Sequence, residues 1–492
     1  MTTLCTSRFA VVQAGSTLYL PYCRNYSLNR RNASITRAVF ALHGADPIAQ
    51  DYYQNTLDAA QLISSNLADE TLIVAPQFIK HSELTEITAT VPDNVLLWTG
   101  ERFEGGLSHS KNASGGGQPF RVSSFTVLDA MLQHVATSGH FPNLRRIVIF
   151  GQSGGGSFAN LFAASSRFEQ TYAEPAGIAV RYIVMNAGSC LYFTDERVKP
   201  RTGRPETPFD FDFEVPTDAT IDAAIDFCRD FGGTDCGTRF DCRTEYNRYA
   251  DGLEDLADRS EYHRDNGLTG ADLRNQYSTR NVIHLAGSED RILGNDTRDT
   301  GIDPVLVLKG KDRMERAVLY FTHLRRVFSE NLIDRIHRLE IVPGVGHGGK
   351  AIITSAIGRR YIFEDFEEVT MTTLADYKVL RDTKFTLNAG RQESLDFDLP
   401  GNIVRSGNSE RPMLSFFSDP SGDARTLRYT VQINGNLVVD YTYTGGVGRQ
   451  HTEVLSHEHL NPLGRNRVRF RVESGTGSVG FSDVVLWYQR YI

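Results

Sequence analysis

RRIVIFGQSGGGSFANLF, residues 145–162, decides the fold. Its first part, Arg146 to Phe150, is an unbroken apolar run of the kind found in a strand buried on both faces of a parallel sheet. Its last part, continuing from Ser157 to Ser165, reads as a helix. Between them Gly151-Gln152-Ser153-Gly154-Gly155 fits G-x-S-x-G in the context that pattern requires, directly after a strand and before a helix. Turning from strand to helix in so few residues forces Ser153 into a strained conformation, and only small neighbours at 151 and 155 let the backbone pass. The result is a hydroxyl held above the sheet, with the helix N-terminus and the Gly154 N–H facing any oxyanion that forms. The glycines form no P-loop, because no Lys-Ser or Lys-Thr follows. GQSGGG also has a superficial likeness to the serine segment of trypsin-type proteases, but those are β-barrels and the surroundings here are α/β.

Outward from that turn, apolar strands alternate with helices. RAVFAL (Arg37–Leu42), TLIVAP (Thr71–Pro76), RYIVMN (Arg181–Asn186), NVIHLA (Asn281–Ala286) and Arg338–Val342 read as strands, after a β-hairpin over residues 8–22 that turns at Gly15-Ser16. Helical patterning covers Ile48–Leu67, Val122–Val135, Asp312–Val327 and Lys350–Ile357. The alternation predicts an α/β fold with a doubly wound, mostly parallel sheet over residues 1–370. The segment of about ninety residues near 190–277 is too long for a simple crossover and is expected to form a cap. Near residue 375 the period changes to two: LDFDL (395–399), LRYTVQI (427–433) and RVRFRV (467–472) alternate cleanly, and Asn434-Gly435 signals a type I′ hairpin. Residues 375–492 are therefore expected to be an all-β sandwich or jelly roll.

A nucleophilic serine needs a base, and His347 is the best placed of the 13 histidines. It lies in IVPGVGHGGKA, leaving a strand and preceding a helix, with glycines that give the imidazole room. An orienting carboxylate follows NVIHLA, where the G-x-x-D spacing from Gly287 sets Asp290 at the carboxyl end of a strand. Glu289 and Asp296 are the alternatives. FALHGAD (Phe40–Asp46) ends a strand in His-Gly, so the Ala45 N–H is expected to be a second oxyanion donor beside Gly154.

Together, His-Gly after a strand, G-x-S-x-G, G-x-x-D and the final Gly-His resemble the α/β-hydrolase superfamily over roughly residues 30–360. RVSSFTVLDAML, FPNLRRIVIFGQSGGG and VPGVGHGG resemble an esterase-like group within it, whose members typically carry GHSAGG where this chain has Gly151 to Gly156. The chain order Ser, Asp, His is the one such an enzyme uses. The resemblance implies a serine hydrolase, cleaving a carboxylic ester through an acyl-enzyme, without metal or organic cofactor. A peptidase, lactonase or thioesterase would use the same three residues, and a binding protein on a hydrolase scaffold is the reading from another class.

Composition narrows the partners. With 52 basic and 60 acidic residues the formal charge is −8, which gives no overall attraction to nucleic acid or an anionic membrane. From residue 371 onward 14 basic residues stand against 13 acidic ones, so the acidity belongs to the first part, and a polyanionic substrate is disfavoured there. A small-molecule or polymeric ester is the expected substrate. The β-domain is expected to bind carbohydrate or mediate oligomerisation, with Trp487 and Tyr488 as stacking candidates, one of which alternation sends into the core. His457 and His459 could share one strand face as metal ligands, though a solvated face is the simpler reading. No apolar run approaches the ~18 residues needed to span a bilayer, and MTTLCTSRFA lacks the features of a secretory signal. Six cysteines are too few for a disulfide scaffold. Cys228, Cys236 and Cys242 read as free thiols or one bridge, and a reducing, cytoplasmic setting is expected, with export by another route left open.

Overall fold

The structure, a computed structural model, describes residues 2–98, 103–107, 112–199, 212–230, 242–292, 304–328, 332–333, 336–364, 373–399, 403, 411–421, 426–461 and 465–491. Two compact units divide the chain: Met1–Val327 with Ile336–Glu367, and Glu368–Ile492 with Phe328–Arg335.

The first unit is built on an eight-stranded sheet. Its strands are β1 (Ser7–Gln13), β2 (Ser16–Arg24), β3 (Arg37–Leu42), β4 (Thr71–Pro76), β5 (Arg146–Gln152), β6 (Ala179–Met185), β7 (Val282–Gly287) and β8 (His337–Val342), in the order β1-β2-β4-β3-β5-β6-β7-β8. β1 and β2 form the antiparallel hairpin, β2 meets β4 antiparallel, and every pairing from β4 to β8 is parallel. The strand after the first crossover pairs outward and the chain then winds the other way from β3, so β3 and β5 meet where the winding reverses. In an open α/β sheet that is where sites form, at the carboxyl ends of the strands. This is the α/β-hydrolase arrangement that the resemblance implies.

The helices are α1 (Ala49–Gln61), α2 (Ser124–Thr137), α3 (Gly154–Ser165), α4 (Asp218–Asp230), α5 (Gly270–Tyr277), α6 (Arg313–Phe328), α7 (Gly349–Thr354) and α8 (Ala356–Phe363). Alternate strand residues explain how they cover both faces. Val39, Phe150, Ile183 and Leu285 pack with Ala59 and Ala60 of α1 and with Ile352, Ile353 and Ile362 of α7 and α8. Tyr182, one residue from Ile183, faces the other way toward Phe162 of α3, which joins Phe125 and Phe158 in a ring cluster. Two helices are shorter than periodicity predicts. The first stops at Gln61, and a separate turn, Ser65–Asp69, starts on the Ser64 cap; likewise Ser355 ends α7 and caps α8 by accepting from the Gly358 N–H. In each case a serine hydroxyl offers a helix N–H a better partner than continued helix does.

Between β6 and β7 the described part of the expected cap holds a short hairpin (Arg197–Val198 with Phe213–Glu214), α4, α5 and three shorter helices. Residues 200–211 and 231–241 lie outside the described residues, Cys236 among them.

The second unit is a sandwich of two antiparallel sheets. Its strands are β9 (Thr373–Arg381), β10 (Phe385–Asn388), β11 (Gln392–Phe397), β12 (Met413–Ser421), β13 (Arg428–Ile433), β14 (Asn436–Thr442), β15 (Arg449–Val454), β16 (Asn466–Ser474) and β17 (Ser478–Tyr491). One sheet runs β9-β17-β12-β15 with β10 also on β17, and the other runs β11-β16-β13-β14. Phe416, Phe470 and Phe481 meet between them with ring centroids 4.8–6.1 Å apart. Asn434 and Gly435 both have positive φ (49° and 87°), as a type I′ turn requires. Alternation sends Tyr488 inward (8% exposed) and leaves Trp487 outward (41%), beside Tyr377. His457 and His459 lie in a 3₁₀ turn rather than on a strand, and the described residues contain no cluster of three or more metal-binding side chains.

The cysteines depart from expectation. Cys5 and Cys23 are disulfide-bonded, because the end of the β1–β2 ladder brings them together, Cys5 two residues before Ser7 and Cys23 one residue after its partner Tyr22, with Cα atoms 5.2 Å apart. Cys242 is disulfide-bonded as well. Bonded cysteines do not support the reduced state read from cysteine number. No helix among the described residues is long and apolar enough to cross a membrane.

Five histidines of the first unit are held neutral by burial: His43 and His263 are pulled down to about 4, His337 to about 3, and His284 and His323 well below 6.5. Each contributes stability that is complete above the unfolded value of 6.5 and is lost as pH falls toward the folded one. Burial raises Glu83 and Asp129 to about 6, and raises Glu169 as well, which acts in the opposite sense. Five histidines against three carboxyls, the first unit should weaken in acid. Thermal melts at pH 7 and pH 5 are expected to show a midpoint lower by roughly 5 °C or more at pH 5; an equal or higher midpoint would contradict this.

Candidate active site

β5 ends at Gln152 and α3 begins at Gly154, so one residue makes the whole turn. Ser153 pays for that geometry with φ 58° and ψ −121°, a left-handed conformation that non-glycine residues seldom adopt. The glycines around it are sterically required. A Cβ at Gly151 would lie 2.0 Å from Gly155 O, one at Gly155 would lie 2.4 Å from His43 O, and one at Gly156 would lie 2.6 Å from Met185 O. The first two are the glycines that the motif demands. The third sits against the end of β6, and its need was not legible in the pattern. Ser153 N donates to Met185 O at 2.9 Å, and the residue is only 6% exposed.

The end of β3 lies directly beside the serine, since a Cβ at Gly44 would touch Ser153 Cβ at 3.3 Å. His43 fixes the local backbone. Its Nε2 accepts from the Phe78 N–H (2.9 Å), which puts the ring proton on Nδ1, 2.8 Å from Gly44 O. Holding that carbonyl fixes the plane of the Gly44–Ala45 peptide and therefore the direction of the Ala45 N–H, which points opposite to it. On the other side, Gly154 is the first residue of α3, and the first N–H groups of a helix have no acceptor within it. Both expected oxyanion donors thus belong to segments that meet at Ser153.

His347 lies on the loop after β8. Asn186 Nδ2 donates to Gly346 O (3.2 Å), Glu289 N donates to Val345 O (2.9 Å), and Gly287 leaves the space that Val345 O fills. These contacts bring the loop to the end of β7, where His347 Nδ1 donates to Asp290 Oδ2 at 2.8 Å. Asp290 is buried, and its Oδ1 takes no hydrogen bond among the described residues. Glu289 is exposed, its carboxylate bonded to the Ser288 hydroxyl, and does not reach the imidazole. Asp296 lies outside the described residues.

Two residues absent from the sequence reading complete the cluster. Tyr52 donates its hydroxyl to Gln152 Oε1 at 2.6 Å, which turns the amide Nε2 toward His347, where it donates to His347 O and lies 3.3 Å from His347 Nε2. Burial pushes the Tyr52 phenol well up, so it remains a donor. Arg313, the first residue of α6 and 1% exposed, inserts its guanidinium between serine and histidine. Nη1 is 2.9 Å from Ser153 Oγ, 2.9 Å from His347 Nε2 and 3.2 Å from Asn186 O. Ser153 is thus hydrogen-bonded to Arg313 and not to His347, although both face the same nitrogen. Donors on its Nε2 side and a carboxylate on its Nδ1 side fix His347 as the Nδ1–H tautomer, with the Nε2 lone pair directed at Arg313 Nη1, the same atom that Ser153 Oγ faces. The one signal in the sequence was that Arg313 opens its helix, where a cation opposes the helix dipole.

No protein-family model matches the chain, and no curated protein does. Solved structures do resemble it. A poly(3-hydroxybutyrate) depolymerase from Bordetella parapertussis is 18% identical over 74% of this chain and 92% of its own, with a TM-score of 0.41. A poly(aspartic acid) hydrolase from Sphingomonas sp. KT-1 is 16% identical over 74% of this chain and all of its own, also at 0.41. A siderophore hydrolase from Aspergillus nidulans is 12% identical over 73% and 94%, at 0.29. At these identities and scores, the reading of the site rests on its geometry alone.

The glycine geometry makes a stability prediction. Gly155→Ala should destabilise the first unit by about 3 kcal/mol or more, since a Cβ there meets only backbone, whereas Gly117→Ala, with nothing within 4 Å, should change little. Urea unfolding of the two variants checks this; equal midpoints would contradict it.

Proposed function

We propose that the chain is a serine hydrolase of carboxylic esters, with Ser153 as nucleophile, His347 as base and Asp290 as the carboxylate that orients it. The observation that carries the reading is the convergence on one point of the strained Ser153 hydroxyl and the His347 Nε2 lone pair, with Asp290 bonded behind the ring at 2.8 Å. Ser153 Oγ attacks the ester carbonyl while its proton passes to His347 Nε2. Asp290, already bonded to Nδ1–H, stabilises the imidazolium that results. The oxyanion is held by the Gly154 and Ala45 N–H groups. His347 then returns the proton to the departing alcohol oxygen, leaving an acyl group on Ser153. A water deprotonated by His347 attacks that acyl carbon by the same path and releases the acid.

Peptide, lactone or thioester cleavage would use the same steps. An ester is favoured because its alkoxide leaves more readily than an amine and asks less of the base. The segment at 190–277 is read as a cap that shapes the acyl pocket. In the second unit, Tyr377 (56% exposed) and Trp487 hold their rings 5.3 Å apart on the outer sheet face. That pair has the chemistry to stack on a sugar ring, which supports carbohydrate binding over oligomerisation as that unit's role.

Two tests follow. Wild type should hydrolyse short-chain p-nitrophenyl esters; Ser153→Ala should lose about 10⁴-fold or more in kcat, and Asp290→Asn roughly 10³–10⁴-fold, through loss of the correct tautomer. Wild-type inactivity, or a fully active Ser153→Ala, would overturn the assignment. For the second unit, wild type should sediment with an insoluble polysaccharide and Trp487→Ala should not; equal sedimentation would remove the stacking role.

A further inference from the structure

Three successive carbonyls of the loop that carries His347 are each held by a different strand end. Val345 O accepts from Glu289 N beyond β7, Gly346 O from Asn186 Nδ2 beyond β6, and His347 O from Gln152 Nε2 at the end of β5. The first two hold the loop against the sheet. The third differs, because its donor adjoins Ser153 in the chain and its acceptor belongs to the residue that carries the imidazole. Gln152 is fixed at its own backbone, in register with Met185 of β6. One side chain on a paired strand therefore ties the place of His347 to that of Ser153.

The orientation of that amide follows from what it meets. A carbonyl only accepts, so Nε2 faces His347 O and Oε1 faces away, where the Tyr52 hydroxyl donates to it at 2.6 Å. Gly349, two residues beyond His347, leaves the room for that bond. A Cβ there would lie 3.0 Å from the Tyr52 hydroxyl and 3.5 Å from Gln152 Oε1. The amide nitrogen carries two hydrogens. One goes to His347 O, and the ring Nε2 lies 3.3 Å away to receive the other. A donor aimed at that lone pair favours the neutral imidazole over the imidazolium. The amide thus holds His347 by backbone and ring together, in the form that can accept a proton.

We infer that Gln152 is a positioning residue for the reaction: its amide, locked in one orientation by Tyr52, sets the place of the His347 imidazole relative to Ser153 and favours its proton-accepting form. This rests on the serine hydrolase reading above. Among the described residues, the charged groups facing the imidazole are Asp290 at Nδ1, from beyond β7, and the Arg313 guanidinium at Nε2, from α6. From α1, the titratable Tyr52 reaches it only through Gln152. Asp290 and Arg313 are common to every variant below, so differences between variants report the amide.

The test follows hydrolysis of p-nitrophenyl acetate from pH 5 to pH 8 in wild type, Gln152→Met, Gln152→Glu and Tyr52→Phe, with melting midpoints at each pH to confirm folding. Gln152→Met should lose about 10²-fold in kcat with KM within about twofold, because the amide places the base and does not hold the ester. The acid limb of its kcat/KM profile should move up by about half a pH unit or more, since the donor that favours the neutral ring is gone. Gln152→Glu should move the limb further, a carboxylate beside the ring favouring the imidazolium. Tyr52→Phe keeps the amide but frees its orientation, so it should lose roughly tenfold in kcat and shift the limb in the same direction by less. A side chain that only filled space would lower the melting midpoint and leave the limb in place. A folded Gln152→Met with wild-type kcat, or a limb unmoved in both Gln152 variants, overturns the inference. A Tyr52→Phe variant identical to wild type overturns the lock. Those outcomes leave an active wild type. If wild type neither turns over the ester nor is labelled at Ser153 by a fluorophosphonate, the serine hydrolase reading falls and this inference falls with it.

Discussion

The first unit depends on a single-residue turn. β5 and α3 are separated only by Ser153, and the backbone can make that turn only because Gly151, Gly155 and Gly156 leave room for Gly155 O, His43 O and Met185 O respectively. The same close approaches tie α3 to β3 and β6, so the strained serine, the peptides at Gly44 and Gly154 and the middle of the sheet are one packing problem with one solution. Strain at a functional residue persists where its surroundings over-determine it, and here backbone surrounds it on three sides.

Much of this was legible in the sequence because it is carried by short-range pattern. Strand, glycine turn and helix around Ser153 are contiguous, and the G-x-x-D spacing from Gly287 sets Asp290 by chain geometry alone. Asn434-Gly435 fixed a hairpin for the same reason. What was not legible depends on partners far apart in the chain. Arg313 and Ser153 are 160 positions apart, and an arginine at a helix start does not by itself point to the serine it meets. Gln152 was seen only as a departure from a family pattern; its orientation by Tyr52, which connects it to His347, comes from the packing of α1 on the sheet. The Cys5–Cys23 bond likewise needs the β1–β2 register, which cysteine number cannot supply.

Net charge illustrates the difference between global and local electrostatics. The acidity of the first part of the chain suggested that a polyanionic substrate would be disfavoured there. Net charge does not report a local cation such as the buried Arg313 guanidinium, since Coulomb interactions strengthen at short range and low dielectric and are screened at the surface. A second buried cation, Lys309, is arranged differently. It lies 2.7 Å from Ser189 Oγ and 2.5 Å from Asp251; burial lowers the pKa of its ammonium, and the Asp251 carboxylate opposes that shift. Ser153, unlike Ser189, shares its cation with an imidazole, Arg313 Nη1 lying 2.9 Å from both Ser153 Oγ and His347 Nε2.

The most direct measurement is to trap the acyl group. Wild type mixed with excess p-nitrophenyl acetate, quenched in acid within milliseconds, digested and mapped by tandem mass spectrometry should carry one acetyl group, on Ser153, formed in step with a burst of p-nitrophenolate. An acetyl group on Ser189, or turnover with no acylated serine at any time, would contradict the mechanism.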